Sequence, residues 1–216
     1  VAGKDGMRPH LEGVLLHSSS EGLRAVATDG HRLVRIAVAL SERLSEQRIL
    51  IPRSAVEAMI QSLLLSKGDD KVRFFADDKI AAVQGTNFGV VASHRCGRFP
   101  PYEQVIEQRA VGEVAISRVA AMDAARIAIA TGGRESCVRI SSSGEAIRLG
   151  VESGDVSFFE ELPHSGSKIS AKVRAVHLLD GASLCRGDEL RIQYTDDSGV
   201  ILIGDDQALT VATTVR

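Results

Sequence analysis

Short segments rich in Val, Leu, Ile and Ala, separated by Ser-, Asp- and Gly-containing stretches, run through most of the chain and are typical of β-strands. Residues 14–18 and 23–27 are two such segments on either side of a loop that contains Gly22. Two strands joined by a short glycine-containing loop predict a β-hairpin. Further antiparallel strands are predicted over residues 31–40, 72–75, 80–83 and 90–93.

Helical periodicity, with apolar residues three and four positions apart, occurs in three segments. We expect helices over residues 52–65, 116–130 and 170–184. Pro52 suits the first turn of the first helix, and Gly132-Gly133 would end the second. Gly181 weakens the final turn of the third helix. The chain is therefore predicted to combine many short strands with few helices.

The predicted elements occur twice in similar order. The segments that begin at Ile51 and Val72 resemble segments 118 residues further on, and five positions between Val14 and Gly30 match positions 124 residues downstream. Self-similarity of this kind indicates an internal duplication. An extra strand and helix precede the second copy, whereas only 13 residues precede Val14. We therefore expect the first copy to lack its opening strand and helix.

Composition, net charge and cysteine count exclude several classes of protein. The 216 residues carry a formal charge of −2 and are 44% hydrophobic, which suits one or two globular domains. Cys96, Cys137 and Cys185 are odd in number and lack C-x-x-C spacing, which argues against a disulfide framework or a zinc site. His94 and His164 add no standard ligand spacing. We therefore expect a cytoplasmic protein that binds no metal or cofactor. Cys185 is expected to be a small buried apolar residue. No membrane segment is expected, because a span needs about 20 apolar residues.

Four sequence blocks occur in order along the chain, namely Arg8-Pro-His-Leu-Glu-Gly, Ala27-Thr-Asp-Gly-His-Arg-Leu33, Ile51-Pro-Arg53 and Gly97-Arg-Phe-Pro-Pro-Tyr102. Together they resemble the bacterial DNA polymerase III beta sliding clamp family. The resemblance implies an α+β DNA-clamp fold, in which repeated domains place antiparallel sheets outside and helices around a hole for DNA. Residues 1–106 would form the clamp middle domain without its first strand and helix, and residues 107–216 the C-terminal domain.

The same resemblance implies a non-catalytic role in DNA replication. The family provides the processivity factor of the polymerase, a ring that encircles duplex DNA without reading its sequence. The implied partners are double-stranded DNA, and polymerase subunits, repair proteins and the clamp loader, which bind through short linear peptides. A full-length chain would self-associate into a homodimeric ring, whereas a chain without the opening strand and helix is expected to be a monomer or weak dimer.

A surface that faces DNA requires positive charge on the helices. The three predicted helical regions, taken over residues 52–67, 116–131 and 170–186, hold seven basic and three acidic residues, a net +4, and leave −6 elsewhere. Segregation of this kind favours a phosphate-facing surface, although ordinary solvated helix faces would produce the same pattern. The expected DNA-binding residues are Lys4, Arg8, Arg53, Lys67, Arg118, Arg126, Lys172 and Arg174.

The resemblance also implies a groove for partner peptides. Its expected residues are Leu11, Thr28, Gly30, His31, Arg32, Leu33, Pro100, Gln104, Val105, Val200, Val211, Thr213, Thr214, Val215 and Arg216. The family usually ends close to M-P-M-R-L. Compared with that ending, the polar, flexible Thr213-Thr214 pair of this chain offers a partner peptide less apolar area. Each buried apolar anchor of such a peptide is worth roughly 1–3 kcal/mol. Gln104 also stands where a basic residue is common. We therefore expect altered peptide affinity and partner preference.

Three other interpretations stay open. Asp29 and His31 could act as a base and its orienting group in an enzyme, but no Ser or Cys lies in a recognisable nucleophile elbow. The same turn could be purely structural, with Gly30 at positive φ. In another class, a clamp-like module could keep the peptide groove without being able to close a ring.

Overall fold

The structure divides into two units. The computed structural model describes residues 2–3, 8–40, 45–65, 72–77, 79–93, 98–142, 145–164, 167–195 and 199–215. Unit 1 comprises residues 1–30 and 35–100, and unit 2 comprises residues 31–34 and 101–216. Within the described residues, no helix combines the length and apolar character needed to span a bilayer.

Unit 1 consists of short antiparallel strands and a helix. Its elements are a 3₁₀ turn (Pro9–Leu11), β1 (Gly13–Ser19), β2 (Gly22–Thr28), β3 (Arg32–Val38, which begins in residues grouped with unit 2), β4 (Gln47–Pro52), α1 (Arg53–Leu65), β5 (Arg73–Ala76), β6 (Ile80–Gln84) and β7 (Gly89–Ser93). The predicted hairpin is confirmed, since β1 pairs with β2 and Ser19 lies opposite Gly22. The strand order is β4-β1-β2-β3, and β5-β6-β7 form a separate sheet.

Unit 2 contains two sheets and the longest described helix. Its elements are α2 (Glu103–Ile106), β8 (Ala110–Ser117), α3 (Arg118–Gly132), β9 (Cys137–Ser142), β10 (Ala146–Ser153), β11 (Val156–Pro163), β12 (Ser170–Arg174), α4 (Ala175–Leu184), β13 (Glu189–Thr195), β14 (Val200–Gly204) and β15 (Ala208–Thr213). One sheet has the order β11-β10-β9-β12, and the other runs β15-β14-β13-β8. Apolar residues on the inner faces of both sheets pack against α3 and α4 in one core.

The duplication predicted from the sequence is confirmed by the strand order. The order β4-β1-β2-β3 in unit 1 corresponds to β12-β9-β10-β11 in unit 2. The starts of the first three matched strands differ by 124 residues, as Gly13 and Cys137 illustrate. Each set is followed by a helix and three further strands. Unit 2 has β8 and α3 in addition, and β8 pairs with β13.

Two of the predicted helices need correction. The second begins at Arg118, two residues later than expected, because Ser117 is its N-cap and accepts a hydrogen bond from the Ala120 N–H at 3.3 Å. Residues 170–174 are not helical, so the prediction of a helix from residue 170 is wrong there. They form β12, where Val173 lies opposite Val138 of β9 and is fully buried. The three-residue spacing of Val173 and Val176 resembled a helical period, but cross-strand pairing places Val173 in the sheet.

The end of α4 contacts β14 and β15 closely. A Cβ atom on Gly181 would lie 2.8 Å from Ile203 Cγ2 and 3.3 Å from Thr210 Cβ. Gly181, Ile203 and Thr210 are all buried, so neither neighbour has room to move into solvent. The residue that weakens the helix in isolation therefore allows it to pack onto the sheet.

We predict that Gly181→Ala lowers the free energy of unfolding. Alanine improves helix propensity by about 1 kcal/mol, but overpacking a closed core costs about 1–3 kcal/mol. Gly187→Ala is the control, because its Cβ would meet no atom closer than 3.9 Å. Urea unfolding of both variants measures the difference. A Gly181→Ala protein more stable than wild type would show that helix propensity decides at this site.

Candidate functional site

The Thr28–Gly30 turn gathers several expected groove residues of unit 1. Gly30 has φ +88°, and its N–H donates to Thr28 Oγ1 at 3.1 Å. A Cβ on Gly30 would lie 2.7 Å from an Arg8 guanidinium nitrogen and 3.8 Å from Leu11 Cδ1. Leu11, Thr28 and Gly30 therefore come together, and Arg8, expected at a DNA surface, lies over the same turn.

Unit 2 holds the residues that directly follow this turn. His31 is exposed and Leu33 is buried. Arg32 forms an ion pair with Asp180 of α4, in which the Arg32 side chain is 16% exposed and that of Asp180 42%. A contact across 148 positions leaves no local signal, so the sequence gives no indication that Asp180 pairs with Arg32. Asp180 thus holds the side chain of an expected groove residue.

An apolar strip lies on one face of β14 and β15. Val200 is opposite Thr213, and Leu202 is opposite Val211. Residues two apart on a strand share a face, so these four side chains form one strip, which we call the β14–β15 strip. Ile201 and the other alternate residues face α4 instead. The strip contains the expected Val200, Val211 and Thr213, and adds Leu202, which is buried.

The C-terminal residues are held by backbone hydrogen bonds. The Thr214 N–H donates to the Gly199 carbonyl at 2.6 Å, and the Val215 N–H donates to the Lys172 carbonyl at 2.8 Å. Thr213 is paired within β15. The expectation of a flexible Thr213-Thr214 pair is therefore wrong, because Thr213 is paired within β15 and backbone hydrogen bonds hold the two residues that follow it. Arg216 lies outside the described residues.

The remaining expected groove residues are spread over both units. Gln104 is exposed and Val105 half-buried on the short helix α2. The adjacent Tyr102 is 2% exposed, so its ring anchors the start of this helix. Pro100 is half-buried at the end of unit 1.

The expected concentration of positive charge on the helices is not observed. With their true bounds, α1, α3 and α4 contain three basic and three acidic residues. Lys172 and Arg174 lie on β12, because the third helix starts only at Ala175. Arg186 lies beyond the end of α4, and Lys4 and Lys67 fall outside the described residues. The prediction of +4 on the helices is therefore wrong.

Three of the expected cations, Arg53, Arg118 and Arg126, do lie on helices. Arg53 of α1 pairs with Glu57 at 2.7 Å and also donates to the Ala2 carbonyl. Arg118 Nε donates to the Gly187 carbonyl at 2.7 Å, which leaves the side chain half-buried.

Helix α3 has one face in the core and one in solvent. Its buried residues are Ala120, Ala121, Ala124, Ala125 and Ala128. Val119, Asp123, Arg126 and Ala130 are exposed and follow the helical period, so they form one solvent-facing stripe. Arg126 pairs with Asp123 at 3.0 Å. Exposed pairs of this kind are worth about 0–1 kcal/mol, so a phosphate can compete for the guanidinium.

Titratable groups elsewhere in the described part of the chain do not assemble a metal site. No cluster of three or more His, Cys, Asp or Glu side chains suited to a metal ion occurs among the described residues. His164 Nε2 lies 3.3 Å from the Ser167 carbonyl, while His94 and Cys96 lie outside the described part of the chain.

Cys185 is buried, as expected. Its thiol donates to the Gly181 carbonyl at 3.3 Å. Burial first, and the negative charge of Asp205 next, raise the pKa of the Cys185 thiol to about 11. The thiol is therefore protonated at neutral pH and is a poor nucleophile.

Comparison with known protein sequences finds similarity to DNA polymerase III beta subunits. A family model described as DNA polymerase III beta subunit, central domain, matches residues 1–101. The Beta sliding clamp of Rickettsia bellii is 29% identical over 148 residues, which cover 67% of this chain and 39% of that protein. The Beta sliding clamp of Escherichia coli K12 is 25% identical over 211 residues, which cover 95% of this chain and 57% of that protein. The chain therefore spans about 40–60% of the length of these relatives.

Solved structures show the same fold. The DNA polymerase sliding clamp of Bacillus subtilis aligns with a TM-score of 0.87 at 21% identity, covering 100% of this chain and 59% of that one. DNA polymerase III subunit beta of Pseudomonas aeruginosa aligns with a TM-score of 0.86 at 21% identity, covering 99% and 61%. The expected α+β DNA-clamp fold and the resemblance to the beta sliding clamp family are thus confirmed.

We predict that Cys185 resists alkylation in the folded protein. A thiol pKa raised from 9.0 to about 11 leaves little thiolate at pH 8, and the side chain is inaccessible. Iodoacetamide labelling resolved by peptide mass spectrometry should modify the half-buried Cys137 much faster. Stability that depends on the neutral thiol is present below pH 9 and is lost as the pH rises towards 11. Equal labelling of Cys137 and Cys185 at pH 8 would contradict this assignment.

Proposed function

Proceeding from the confirmed resemblance, we propose that this chain is part of a sliding clamp, a non-catalytic processivity factor that encircles duplex DNA and tethers polymerases. The alignment with the E. coli Beta sliding clamp over 95% of the chain carries the proposal. Residues 1–106 would be its middle domain and residues 107–216 its C-terminal domain. The ring-incompetent alternative is not favoured by these relatives.

The DNA-facing surface is proposed to include the exposed stripe of α3. Arg126 lies on this stripe, and Arg118 lies at the start of the same helix. Contacts from such side chains to phosphates would be electrostatic and independent of base sequence. Lys172 is not part of this surface, because it lies on the face of its sheet opposite the core that α3 joins.

We predict that Arg118→Gln with Arg126→Gln weakens duplex binding equally for unrelated DNA sequences. Each lost phosphate contact should reduce the slope of log K against log salt by about 1, so the double variant should lose about 2. Lys172→Gln removes one positive charge from the opposite side of unit 2 and is the control for loss of charge away from this surface. Fluorescence anisotropy over a salt series measures the slopes.

Two results would contradict this surface. One is an unchanged salt slope in the double variant, and the other is an equal loss in Lys172→Gln. Urea unfolding of each variant checks that the Arg118 contact with Gly187 is not needed for folding.

The peptide contact is proposed to involve the β14–β15 strip. The half-buried Val200 and the exposed Thr213 present the strip to solvent, and the buried Leu202 and Val211 lie beside them on the same face. Apolar anchors usually dominate peptide binding to such surfaces. The backbone bonds that hold Thr214 and Val215 preorganise this surface, which compensates in part for its polar threonines.

We predict that Thr213→Leu tightens, and Thr213→Asp weakens, the binding of a peptide with a Q-x-x-L-x-L/F anchor. Burial of one to two additional carbons is worth about 1 kcal/mol, or roughly fivefold in Kd. Thr131→Leu makes the same change at an exposed site on α3 and is the control. Isothermal titration measures Kd. The same Kd for Thr213→Leu, Thr213→Asp and wild type would place the peptide elsewhere.

A further inference from the structure

The outer face of the β11-β10-β9-β12 sheet contains a hollow. Strand register places Phe159, Gly150, Arg139 and Lys172 in one row across the four strands. Their inner-face neighbours, such as Val138 and Leu149, are fully buried, so this row faces away from the core. A cavity of about 350 Å³ lies over the row.

Two cations face each other in this row. Arg139 and Lys172 are directly opposed on neighbouring strands, and like charges in this position repel. Within the described residues neither side chain has a hydrogen bond or an ion pair. The neighbouring cations differ, because Arg174 pairs with Glu135 at 3.0 Å and Arg148 lies 4.0 Å over the Phe159 ring. Arg139 and Lys172 therefore offer two uncompensated charges to one ligand.

Gly150 provides the space between the cations and the aromatic ring. A Cβ on Gly150 would meet no atom closer than 3.9 Å, so the lack of a side chain is not needed for packing. The residue instead leaves the middle of the row open. Ser141, on the same face of β9, adds a hydroxyl to the cavity lining.

Two carboxylates also line the cavity. Glu135 is engaged by Arg174, which removes much of its repulsion for an anion. Glu152 lies on β10 two residues beyond Gly150. With Arg139, Arg148 and Lys172 in the lining, positive charge exceeds negative charge.

We propose that this hollow binds a phosphate-bearing small molecule, with a phosphate group between Arg139 and Lys172. A dianion neutralises both side chains and relieves their repulsion, and the guanidinium fork and the ammonium both suit phosphate oxygens. The cavity volume exceeds that of a free phosphate and suits a nucleotide-sized ligand. The site does not depend on the proposed clamp function, because it lies on the sheet face opposite α3.

Titration with inorganic phosphate, pyrophosphate and ATP tests this site by isothermal calorimetry and by the ligand-induced rise in Tm. Arg139→Gln and Lys172→Gln should each weaken binding at least tenfold. Gly150→Val should weaken it by filling the hollow without changing the charge. Arg134→Gln removes an exposed charge outside the cavity and should change nothing.

The outcomes divide clearly. Equal affinity for phosphate and ATP would indicate a site for the free anion. Tighter binding of ATP than of phosphate would indicate a nucleotide site. Both outcomes support the proposal. It is overturned if no probe binds at millimolar concentration, if Arg139→Gln and Lys172→Gln bind as wild type does, or if the two side chains respond only to duplex DNA. Because both side chains point away from the core, neither variant should lower the Tm of the ligand-free protein.

Discussion

The arrangement of unit 2 depends on the close packing of α3. Its buried face consists of alanines, and these small side chains let the helix axis approach the two sheets and α4. Ala124 at the centre of this face is fully buried. Since the helix cannot rotate without burying Asp123 or Arg126, the packing also fixes which residues meet solvent. The candidate DNA surface is a consequence of this contact.

The two faces of unit 2 separate its charges. On the α3 side, Arg126 is paired with Asp123, so the field outside the helix is modest. On the outer sheet, Arg139 and Lys172 are opposed and share a hollow. These two opposed cations lie on the sheet rather than on the helices, which separates the proposed phosphate-binding hollow from the candidate DNA surface on α3.

Structural features that depend on neighbouring residues could be predicted from the sequence. The hairpin followed from a short loop ending at Gly22, and the duplication followed from the 124-residue offset. Features set by distant contacts were missed. Residues 170–174 have a helical apolar spacing but pair with β9, and Asp180 holds Arg32 from 148 positions away. The charge assigned to the helices failed partly for the same reason, because the later start of α4 puts Lys172 and Arg174 on a strand. Arg186 lies beyond the end of α4, and Lys67 lies outside the described residues.

The most direct test of the central claim, that the exposed stripe of α3 faces duplex DNA, is a protection measurement. Val119 lies 56% exposed on this stripe, and Ser170 is exposed on β12. The alkylation rates of Val119→Cys and Ser170→Cys would be measured with and without a saturating duplex. Duplex DNA should slow alkylation at position 119 several-fold and leave position 170 unchanged. Equal rates at position 119 with and without DNA, or protection only at position 170, would contradict the account.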